Sequence, residues 1–544
     1  MPATIEGFDY IIVGAGSAGC ALAARLTEDP GVRVALIEAG GKDNSLLIRM
    51  PAGVGSLLKQ KGAHNWGFWT APQEHLNGRK LYWPRGKGWG GSSSINGMIY
   101  IRGHASDYDQ WAQMGLKGWS FEDVLPYFKK SETHPDGESE FHGGSGPLKI
   151  SESEAEEPLY KAFLKAGEQA GYGYTPDFNG AEQEGFGPYQ RTIHDGERWS
   201  ASYAYLRPAL SRPNLHVISA GRVTKVLVEN GRATGIEYAA GKGKPATQLM
   251  ADAEVILCAG AVQTPQILQL SGIGNPEDLA PHGIEVIAEV PEIGANLQDH
   301  LDVTIVHTCT QKITGYSKQA GLKKLGVGLN YLLRKQGPGR DNFLQAGAFI
   351  STREGLAAPD LQLHFVNAAM LDHANTDIGE DGFTIHACQL RPESRGNCTL
   401  MSADPFDDPV IDPNYLASET DRRVMRDATR MTLDIANQPA FDPYRGRSVL
   451  PETELKTDAD IDAFIRAKSE TIYHPVGTVR MGADDRAPLD GDCRMRAVQG
   501  LRVVDASVMP TLIGGNTNAP TIMIAEKIAD QIRGVRAQTA VAAE

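Results

Sequence analysis

The chain contains 544 residues, 41% of them hydrophobic and 22% charged, a composition that indicates a globular protein and excludes disorder, collagen and a coiled coil. Its formal net charge of −14 argues against a nucleic acid or an anionic membrane as the main partner. At roughly 150 residues per domain, we expect two or three large structural units.

Cysteine spacing and the N-terminus bear on metals and location. Six cysteines are scattered and no pair has the C-x-x-C spacing, so neither a metal site nor a disulfide framework is predicted. The first ten residues lack the basic and apolar regions of a secretory signal, and no apolar run approaches the roughly 20 residues of a spanning helix. We expect a cytoplasmic protein with no transmembrane segment; peripheral contact with the inner membrane and the oligomeric state stay open.

The start of the chain has the pattern of a dinucleotide-binding βαβ unit. Residues 8–13 (FDYIIV) predict a buried strand, which leads into a G-x-G-x-x-G motif at 14–19. Residues 20–27 predict a helix, and residues 33–37 predict a second strand that ends at Glu38. Because strand, helix and second strand follow in register, the motif indicates a bound dinucleotide rather than a structural turn.

The glycine spacing has a mechanical reason. Gly14 permits the tight turn, Gly16 lets backbone amides approach a pyrophosphate, and Gly19 allows the helix to pack against the strand. The start of the helix then offers free N–H groups and a positive dipole end to the phosphates. Glu38 lies where a carboxylate accepts hydrogen bonds from ribose hydroxyls, and it would repel the 2′-phosphate of NADP.

Two later segments favour FAD over NAD. Residues 85–97 (RGKGWGGSSSING) form a second glycine cluster, whose small residues present N–H groups and hydroxyls that surround a phosphate or a ring edge. Residues 255–261 (VILCAGA) are an apolar strand that ends in small residues, as in flavoproteins that return a strand to the FAD.

The chain resembles the glucose–methanol–choline (GMC) oxidoreductases over nearly its full length, and within them the branch of choline dehydrogenases and bacterial aliphatic-alcohol dehydrogenases. The N-terminal fingerprint carries part of the resemblance. The other blocks are RGKGWGGSSSINGMIYIRGH (85–104), GAVQTPQILQLSGIG (260–274), TIYHPVGTVRMG (471–482) and LRVVDASVMPTLIGGNTNAPTIMIAEKIAD (501–530).

The resemblance implies an α/β fold, α+β overall, with a Rossmann-like FAD-binding domain and a second, mixed-sheet substrate-binding domain. The FAD-binding domain is expected to be discontinuous, and the substrate-binding domain to fill its gaps: 1–155, 212–305 and 494–544 for the first, 156–211 and 306–493 for the second. Residues 315–339 carry several lysines and arginines, and a solvated helix is predicted there in preference to a lipid-binding patch.

The chemistry implied is oxidation of an alcohol, in which a base takes the hydroxyl proton and a hydride passes to flavin N5. By resemblance, a His–Asn catalytic pair falls on His474 and Asn518. We assign His474 as the general base in its neutral form and Asn518 as the amide donor to the substrate oxygen. Asn516 is interpreted as a turn residue, and the sequence alone leaves open an exchange of roles between Asn516 and Asn518.

Further cofactor contacts follow from the resemblance alone. Ile95 occupies the position where some members attach the flavin to a histidine, so the FAD is predicted to be non-covalent. The expected contacts are Gly14, Gly16, Ser17, Ala18, Gly19, Glu38, Ala39, Gly90, Gly91, Ser92, Asn96, Gly97, Met98, Ile99, Val223, Asp505, Ala506 and Thr517.

The last expectations concern the substrate and the electron acceptor. Gln345 and Tyr473 are expected in the substrate pocket, and Gln345 aligns with a glutamate of choline-specific relatives. A neutral side chain there favours a neutral primary alcohol, aliphatic in character, over choline. The electron acceptor is expected to be a quinone, a redox protein or oxygen. An oxygen-reducing alcohol oxidase, a choline dehydrogenase and a flavin-fold lyase or photodecarboxylase are the alternatives.

Overall fold

The computed structural model describes residues 3–59, 61–319, 321 and 323–534. Over these residues none of the helices is both long enough and apolar enough to cross a membrane. The α-helices are Ser17–Leu26, Leu46–Arg49, Val54–Leu58, Ala105–Gln113, Phe121–Ser131, Pro158–Gln169, Arg207–Ala209, Gly260–Leu270, Pro276–Leu279, Gly315–Gln319, Lys323–Arg334, Glu419–Ala436, Asp458–Lys468 and Asn518–Arg533.

The first sheet has seven strands, and its centre is a buried parallel unit. The apolar strands that contain residues 8–13 and 34–37 pair in parallel, as the predicted βαβ unit requires. In spatial order its strands are Leu215–Ser219, Val34–Glu38, Ala3–Val13, Ala246–Leu257, Arg232–Ala239 and Arg222–Glu229, with Leu501–Val503 also paired to Ala246–Leu257.

The predicted α/β class with a Rossmann-like unit is confirmed. The helix after the first strand begins at Ser17, three residues before the predicted start, because its N-cap is Gly16 within the glycine motif itself. Two strands, Arg222–Glu229 and Arg232–Ala239, form an antiparallel hairpin that closes one edge of the sheet.

The second sheet also has seven strands, and all its named pairs are antiparallel, whereas a mixed sheet was expected. Three neighbouring strands, Ala346–Ile350, Leu361–Val366 and Gly382–Gln389, follow one another along the chain with no α-helix between them, which is a connection that antiparallel pairs allow. The strand order is Arg445–Leu450, Leu301–Cys309, Gly382–Gln389, Leu361–Val366, Ala346–Ile350 and Gly185–Pro188, with Glu470–Thr471 also paired to Leu301–Cys309.

The domain limits stay a prediction, but one of them meets an obstacle. The strand Leu301–Cys309 belongs wholly to the second sheet, so a boundary at residue 305 would cut through it.

Short two-stranded pairs complete the fold: Phe68–Trp69 with Tyr82–Trp83, Glu132–Thr133 with Leu148–Lys149, Ser151–Glu152 with Gln190–Arg191, Ile193–His194 with Glu197–Arg198, Ile273–Gly274 with Ala288–Glu289, and Asn397–Thr399 with Val410–Asp412.

The strand ends of the first sheet position the candidate site. Three parallel strands finish at Val13, Leu257 and Val503. Because the carboxyl ends of parallel strands meet at one edge of a sheet, the loops that follow them line a common crevice. Asp505 ties two of these loops together, since its carboxylate accepts hydrogen bonds from Gly260 N at 2.8 Å and from Thr264 Oγ1 at 2.6 Å.

Candidate active site

A cavity of about 480 Å³ lies where the crevice of the first sheet meets the second sheet. Most of the predicted cofactor residues line it, namely Gly14, Gly16, Ser17, Ala18, Glu38, Ala39, Gly91, Ser92, Asn96, Gly97, Met98, Ile99, Val223, Asp505, Ala506 and Thr517. The same cavity reaches His474, so the predicted nucleotide and catalytic residues share one space.

The other two predicted contacts, Gly19 and Gly90, lie behind this lining. A Cβ on Gly19 would stand 1.9 Å from the carbonyl oxygen of Gly14, so only glycine allows the helix to approach the strand. Gly90 donates its N–H to Ala15 O at 2.7 Å and joins the second glycine cluster to the first. Both residues shape the loops without facing the cavity.

The walls of this cavity fit a dinucleotide. Gly16 is the N-cap of the helix Ser17–Leu26 and has no side chain to occupy the first N–H groups, which are free to bind a phosphate. Gly16, Ser17 and Ala18 all line the cavity at that point. The carboxyl ends of three parallel strands and an uncapped helix N-terminus thus converge on one space.

Glu38 is fixed in the wall of the cavity by backbone donors. Its carboxylate accepts hydrogen bonds from the N–H groups of Ala15 at 2.9 Å, Gly40 at 2.7 Å and Gly88 at 3.0 Å. Burial raises the pKa of Glu38, and these three N–H groups oppose the shift. The carboxylate is therefore held in one orientation, in which it can accept hydrogen bonds from ribose hydroxyls.

Asp299 positions the backbone of His474. Its Oδ1 accepts the His474 N–H at 2.8 Å, and its Oδ2 accepts hydrogen bonds from Thr471 Oγ1 at 2.6 Å and from the hydroxyl of Tyr415. Between these contacts the chain turns through Tyr473, which has a φ of +73°. Burial raises the pKa of Asp299 to about 6, while its donors favour the ionised form.

The hydrogen-bond chain beyond His474 fixes its tautomer. The carbonyl oxygen of Leu390 lies 3.0 Å from His300 Nε2 and can only accept, so His300 Nε2 carries the hydrogen. His300 Nδ1 is then an acceptor, and the hydrogen of its 3.0 Å contact with His474 Nδ1 belongs to His474. His474 Nε2 is therefore unprotonated, and Asn516 Nδ2 lies 3.2 Å from it.

Burial keeps these imidazoles neutral. It lowers the pKa of His474 well below its usual range, and the neighbouring His300 and His364 lower that pKa further. Burial also lowers the pKa of His300 to about 3. His474 thus presents an unprotonated Nε2 to the cavity at neutral pH.

The asparagine that faces His474 is Asn516, and this corrects the predicted pairing with Asn518. The Asn516 side chain is oriented by Gln362, whose Nε2 donates to its Oδ1 at 3.1 Å. Asn518 is the first residue of the helix Asn518–Arg533, and its Oδ1 accepts from Ser17 Oγ at 2.8 Å. Both asparagines line the cavity, but only Asn516 is within hydrogen-bond distance of the imidazole.

Of the two predicted substrate-pocket residues, Tyr473 lines the cavity and Gln345 does not. The Gln345 side chain is turned away because its Oε1 accepts from Ala155 N at 3.1 Å and its Nε2 donates to Asp341 Oδ2 at 2.9 Å. Gln345 therefore lies outside the cavity lining, contrary to its predicted place in the substrate pocket.

Sequence reasoning missed two histidines that line the cavity, His364 and His386. Neither ring nitrogen of His364 has a hydrogen-bond partner among the described residues, and burial lowers its pKa to about 3. His386 Nδ1 lies 2.5 Å from Asp302 Oδ2. The available signal was a histidine within a predominantly apolar strand, as in LQLHFV and GFTIHACQ.

The part of the lining contributed by the second sheet and its loops carries no carboxylate. Over the described residues, the acidic side chains that line the cavity are Glu38 and Asp505, both at strand ends of the first sheet. Around His474 the charged lining residue is Arg85, whose Nη2 donates to the carbonyl oxygen of Tyr473 at 2.6 Å. Apart from it, the histidines and the amides, the lining there is apolar or aromatic: Phe343, Leu344, Val366, Ala368, Ala369, Met370, Ile472 and Tyr473.

Comparison with known proteins gives a consistent result. Two family models match the chain, both described as GMC oxidoreductase, over residues 8–302 and 392–525. The chain is 47% identical over 539 residues to the mitochondrial choline dehydrogenase of Homo sapiens, covering 97% of this chain and 90% of that protein. It is 45% identical over 528 residues to the oxygen-dependent choline dehydrogenase of Brucella ovis, covering 97% and 95%.

Solved structures agree over almost the entire chain. Pyridoxine 4-oxidase from Mesorbium loti has a TM-score of 0.88 at 32% identity, covering 97% of this chain and 100% of that one. An Aspergillus oryzae formate oxidase variant, studied for FAD modification, has a TM-score of 0.89 at 28% identity and covers 98% of both chains. FAD is the cofactor of this group of proteins.

Two glycine substitutions separate cofactor binding from folding. For a Cβ on Gly16 the nearest heavy atom is Cys258 O at 3.8 Å, so Gly16→Ala should fold normally but obstruct the cofactor. We expect an affinity for FAD at least ~10-fold lower, measured by titrating FAD into the stripped protein. Gly19→Ala, in contrast, should lower the free energy of unfolding by about 1–3 kcal/mol through overpacking.

Gly173→Ala is the matched control, because nothing lies within 4 Å of a Cβ at that position. It should leave both the FAD affinity and the unfolding free energy unchanged. An unaltered FAD affinity in Gly16→Ala would contradict the placement of the cofactor against this helix start.

Proposed function

The chain belongs to the GMC oxidoreductase family of FAD-dependent enzymes that act on CH–OH groups, and we propose that it oxidises a neutral primary alcohol, aliphatic in character, to the aldehyde. The observation that carries the proposal is the pair formed by the unprotonated Nε2 of His474 and the amide of Asn516, 3.2 Å apart and both facing the cavity. The FAD is proposed to be non-covalent, because Ile95 offers no nucleophile to it.

His474 acts as the general base. An alcohol hydroxyl donates to Nε2, and its proton moves there while the Nδ1–H remains donated to His300. In the imidazolium that results, Nδ1–H donates to His300 and Nε2–H donates to the substrate oxygen. Because burial disfavours this charged form, the proton is held only while negative charge on the alcohol oxygen balances it.

Asn516 stabilises the developing alkoxide. Its Oδ1 is engaged by Gln362, so its Nδ2 faces His474 Nε2 and can donate to a substrate oxygen bound there, the same oxygen that gives its proton to His474. This places a base and a donor on one substrate atom. The start of the helix Asn518–Arg533 adds a positive dipole end beside them.

The remaining cofactor residues hold and orient the dinucleotide. FAD, when bound, supplies the acceptor for the substrate hydride. Its pyrophosphate would be held by Gly16, Ser17 and Ala18, and its ribose hydroxyls would donate hydrogen bonds to Glu38. His300 is a positioning residue, since it touches neither alcohol nor cofactor and acts by holding His474 in the reactive tautomer.

A neutral substrate is favoured by the charge of the lining. The side of the cavity near His474 carries no carboxylate among the described residues, and Gln345 is turned away towards Asp341. A quaternary ammonium would enter it without a charge partner. The aromatic rings of Phe343 and Tyr473 are the groups that could attract such a cation, so choline, the substrate named for the relatives, is the second candidate.

Replacing the base should abolish turnover and spare the cofactor. We expect His474→Ala to lower kcat by about 10²-fold or more, because the hydroxyl proton then has no acceptor, while the purified protein stays yellow. The readout is the rate of anaerobic bleaching by butanol or hexanol in a stopped-flow instrument. The control is His307→Ala, a buried histidine of the strand Leu301–Cys309 that does not line the cavity. Equal loss of flavin and of activity in His474→Ala would make His474 structural.

The two asparagines should differ in effect. Asn516→Ala removes the proposed amide donor and should lower kcat by about 10²-fold. Asn518→Ala removes only a hydrogen bond between uncharged groups, the one from Ser17. The kcat of Asn518→Ala should therefore stay at least ~10-fold above that of Asn516→Ala. Steady-state kinetics with a dye acceptor compare them at equal flavin content. The reverse order would return the role of donor to Asn518.

A substrate panel tests charge preference. For primary alcohols of increasing chain length, kcat/KM should exceed that for choline by at least ~10-fold, because burying an unpaired cation is costly. Gln345→Glu should not raise activity on choline, since that side chain faces Asp341. Running the panel under nitrogen with a dye and in air with peroxide detection separates dehydrogenase from oxidase. Choline as the best substrate would overturn the proposed specificity.

A further inference from the structure

An exposed apolar face lies on the helix Lys323–Arg334, outside the cavity. Leu325, Leu329, Leu332 and Leu333 are 74%, 59%, 54% and 74% exposed. Their spacing of i, i+4, i+7 and i+8 puts all four on one side of the helix. We call these four residues the leucine face.

The opposite side of this helix is anchored to the protein. Tyr331 is buried, and its hydroxyl donates to the carbonyl oxygen of Arg49 at 3.0 Å. A Cβ on Gly339 would stand 2.9–3.0 Å from Tyr331, so the chain after the helix packs closely on that ring. The leucine face is thus presented outward by a helix whose other side is fixed.

The helix to which Tyr331 is anchored also exposes leucines. Arg49 ends the helix Leu46–Arg49, in which Leu46 and Leu47 are also exposed. The bond between Tyr331 and Arg49 therefore joins two helices that each expose leucines. The four residues of the leucine face, grouped on one side of one helix, indicate an interaction site rather than ordinary surface.

Charge around the leucine face is opposite to that of the whole chain. Residues 312–340 contain no Asp or Glu, although the chain has a formal net charge of −14. The basic residues of this stretch are Lys312, Lys318, Lys323, Lys324, Arg334, Lys335 and Arg340. Lys318 and Lys335 form ion pairs with Glu157 and Glu197, and the stretch as a whole remains positive.

In place of the solvated helix expected for residues 315–339, we propose that the leucine face is a membrane-docking surface that inserts into the headgroup region of an anionic bilayer. A helix that exposes leucines on one side and begins and ends with basic residues, Lys323 and Arg334, is suited to lie in such an interface. A second copy of the chain fits less well, because a two-fold contact would bring the same positive segment against itself. The negative remainder of the protein would face away from the lipid.

The docked orientation would place the cavity wall near the bilayer. The helix Gly315–Gln319 contacts Lys323–Arg334, and Gln319 lines the cavity. The turn Pro338–Arg340 contacts Pro51–Gly53, and Ala52 also lines the cavity. An alcohol or acceptor dissolved in lipid would then have a short path to the site; this consequence, unlike docking itself, rests on the proposed function.

Vesicle flotation tests the docking without any reaction. The FAD-loaded protein should float with vesicles of equal parts phosphatidylglycerol and phosphatidylcholine, and at least ~10-fold less with phosphatidylcholine alone or at high salt. The triple variant Leu325→Ser, Leu329→Ser, Leu333→Ser should lower binding at least ~10-fold. Lys323→Glu with Arg334→Glu should do the same. These positions are exposed, so dye-linked turnover of a water-soluble alcohol should be unchanged.

Matched controls separate this face from general surface effects. Met401→Ser removes an apolar side chain that is 60% exposed elsewhere, and Arg353→Glu reverses an exposed charge elsewhere; both should float like the parent protein. The proposal is overturned if the parent protein does not float, if the triple variant floats equally well, or if the triple variant changes only the oligomeric mass in light scattering. If the unmodified protein shows no dye-linked turnover of the alcohol, the proposed function is contradicted, and the flotation result still stands.

Discussion

The candidate site depends on a single carbonyl group that can only accept. The carbonyl oxygen of Leu390 accepts a hydrogen bond from His300 Nε2–H. The direction of this hydrogen bond determines which atom donates in each of the following contacts, as far as His474 Nε2. Were the carbonyl a hydroxyl, which can reverse its role, both tautomers of His474 would be available. The reactive lone pair is thus a result of backbone geometry, and burial preserves it by keeping both rings uncharged.

The partners of this chain come from distant parts of the sequence. Asp299 and His300 precede a strand of the second sheet, Leu390 follows another, and Asn516 lies in a loop before the last described helix. Asp299 holds the backbone of His474 while His300 holds its ring, so two consecutive residues control position and protonation together. A rigid sheet beneath the site explains how such short distances are maintained.

The sequence predicts the fold class and the nucleotide crevice well, because glycine spacing and strand–helix order are local patterns with steric causes. It does not resolve Asn516 from Asn518: both stand in one NTN triplet, and only the start of the helix at Asn518 decides which side chain faces the imidazole. Gln345 was misplaced for a similar reason, since its direction is set by Asp341 and Ala155. His364 and His386 escape notice because burial within a strand gives them no motif.

The hydrogen bond between Ser17 and Asn518 spans 501 positions of the chain. It joins the starts of the first and last described helices, whose N-termini both face the cavity. During synthesis the nucleotide loop emerges early and must wait for nearly all of the polypeptide before its wall is complete. Contacts of such separation slow folding, so cofactor loading is expected to be among the last events in maturation and to fail as a unit when the helix Asn518–Arg533 is cut away.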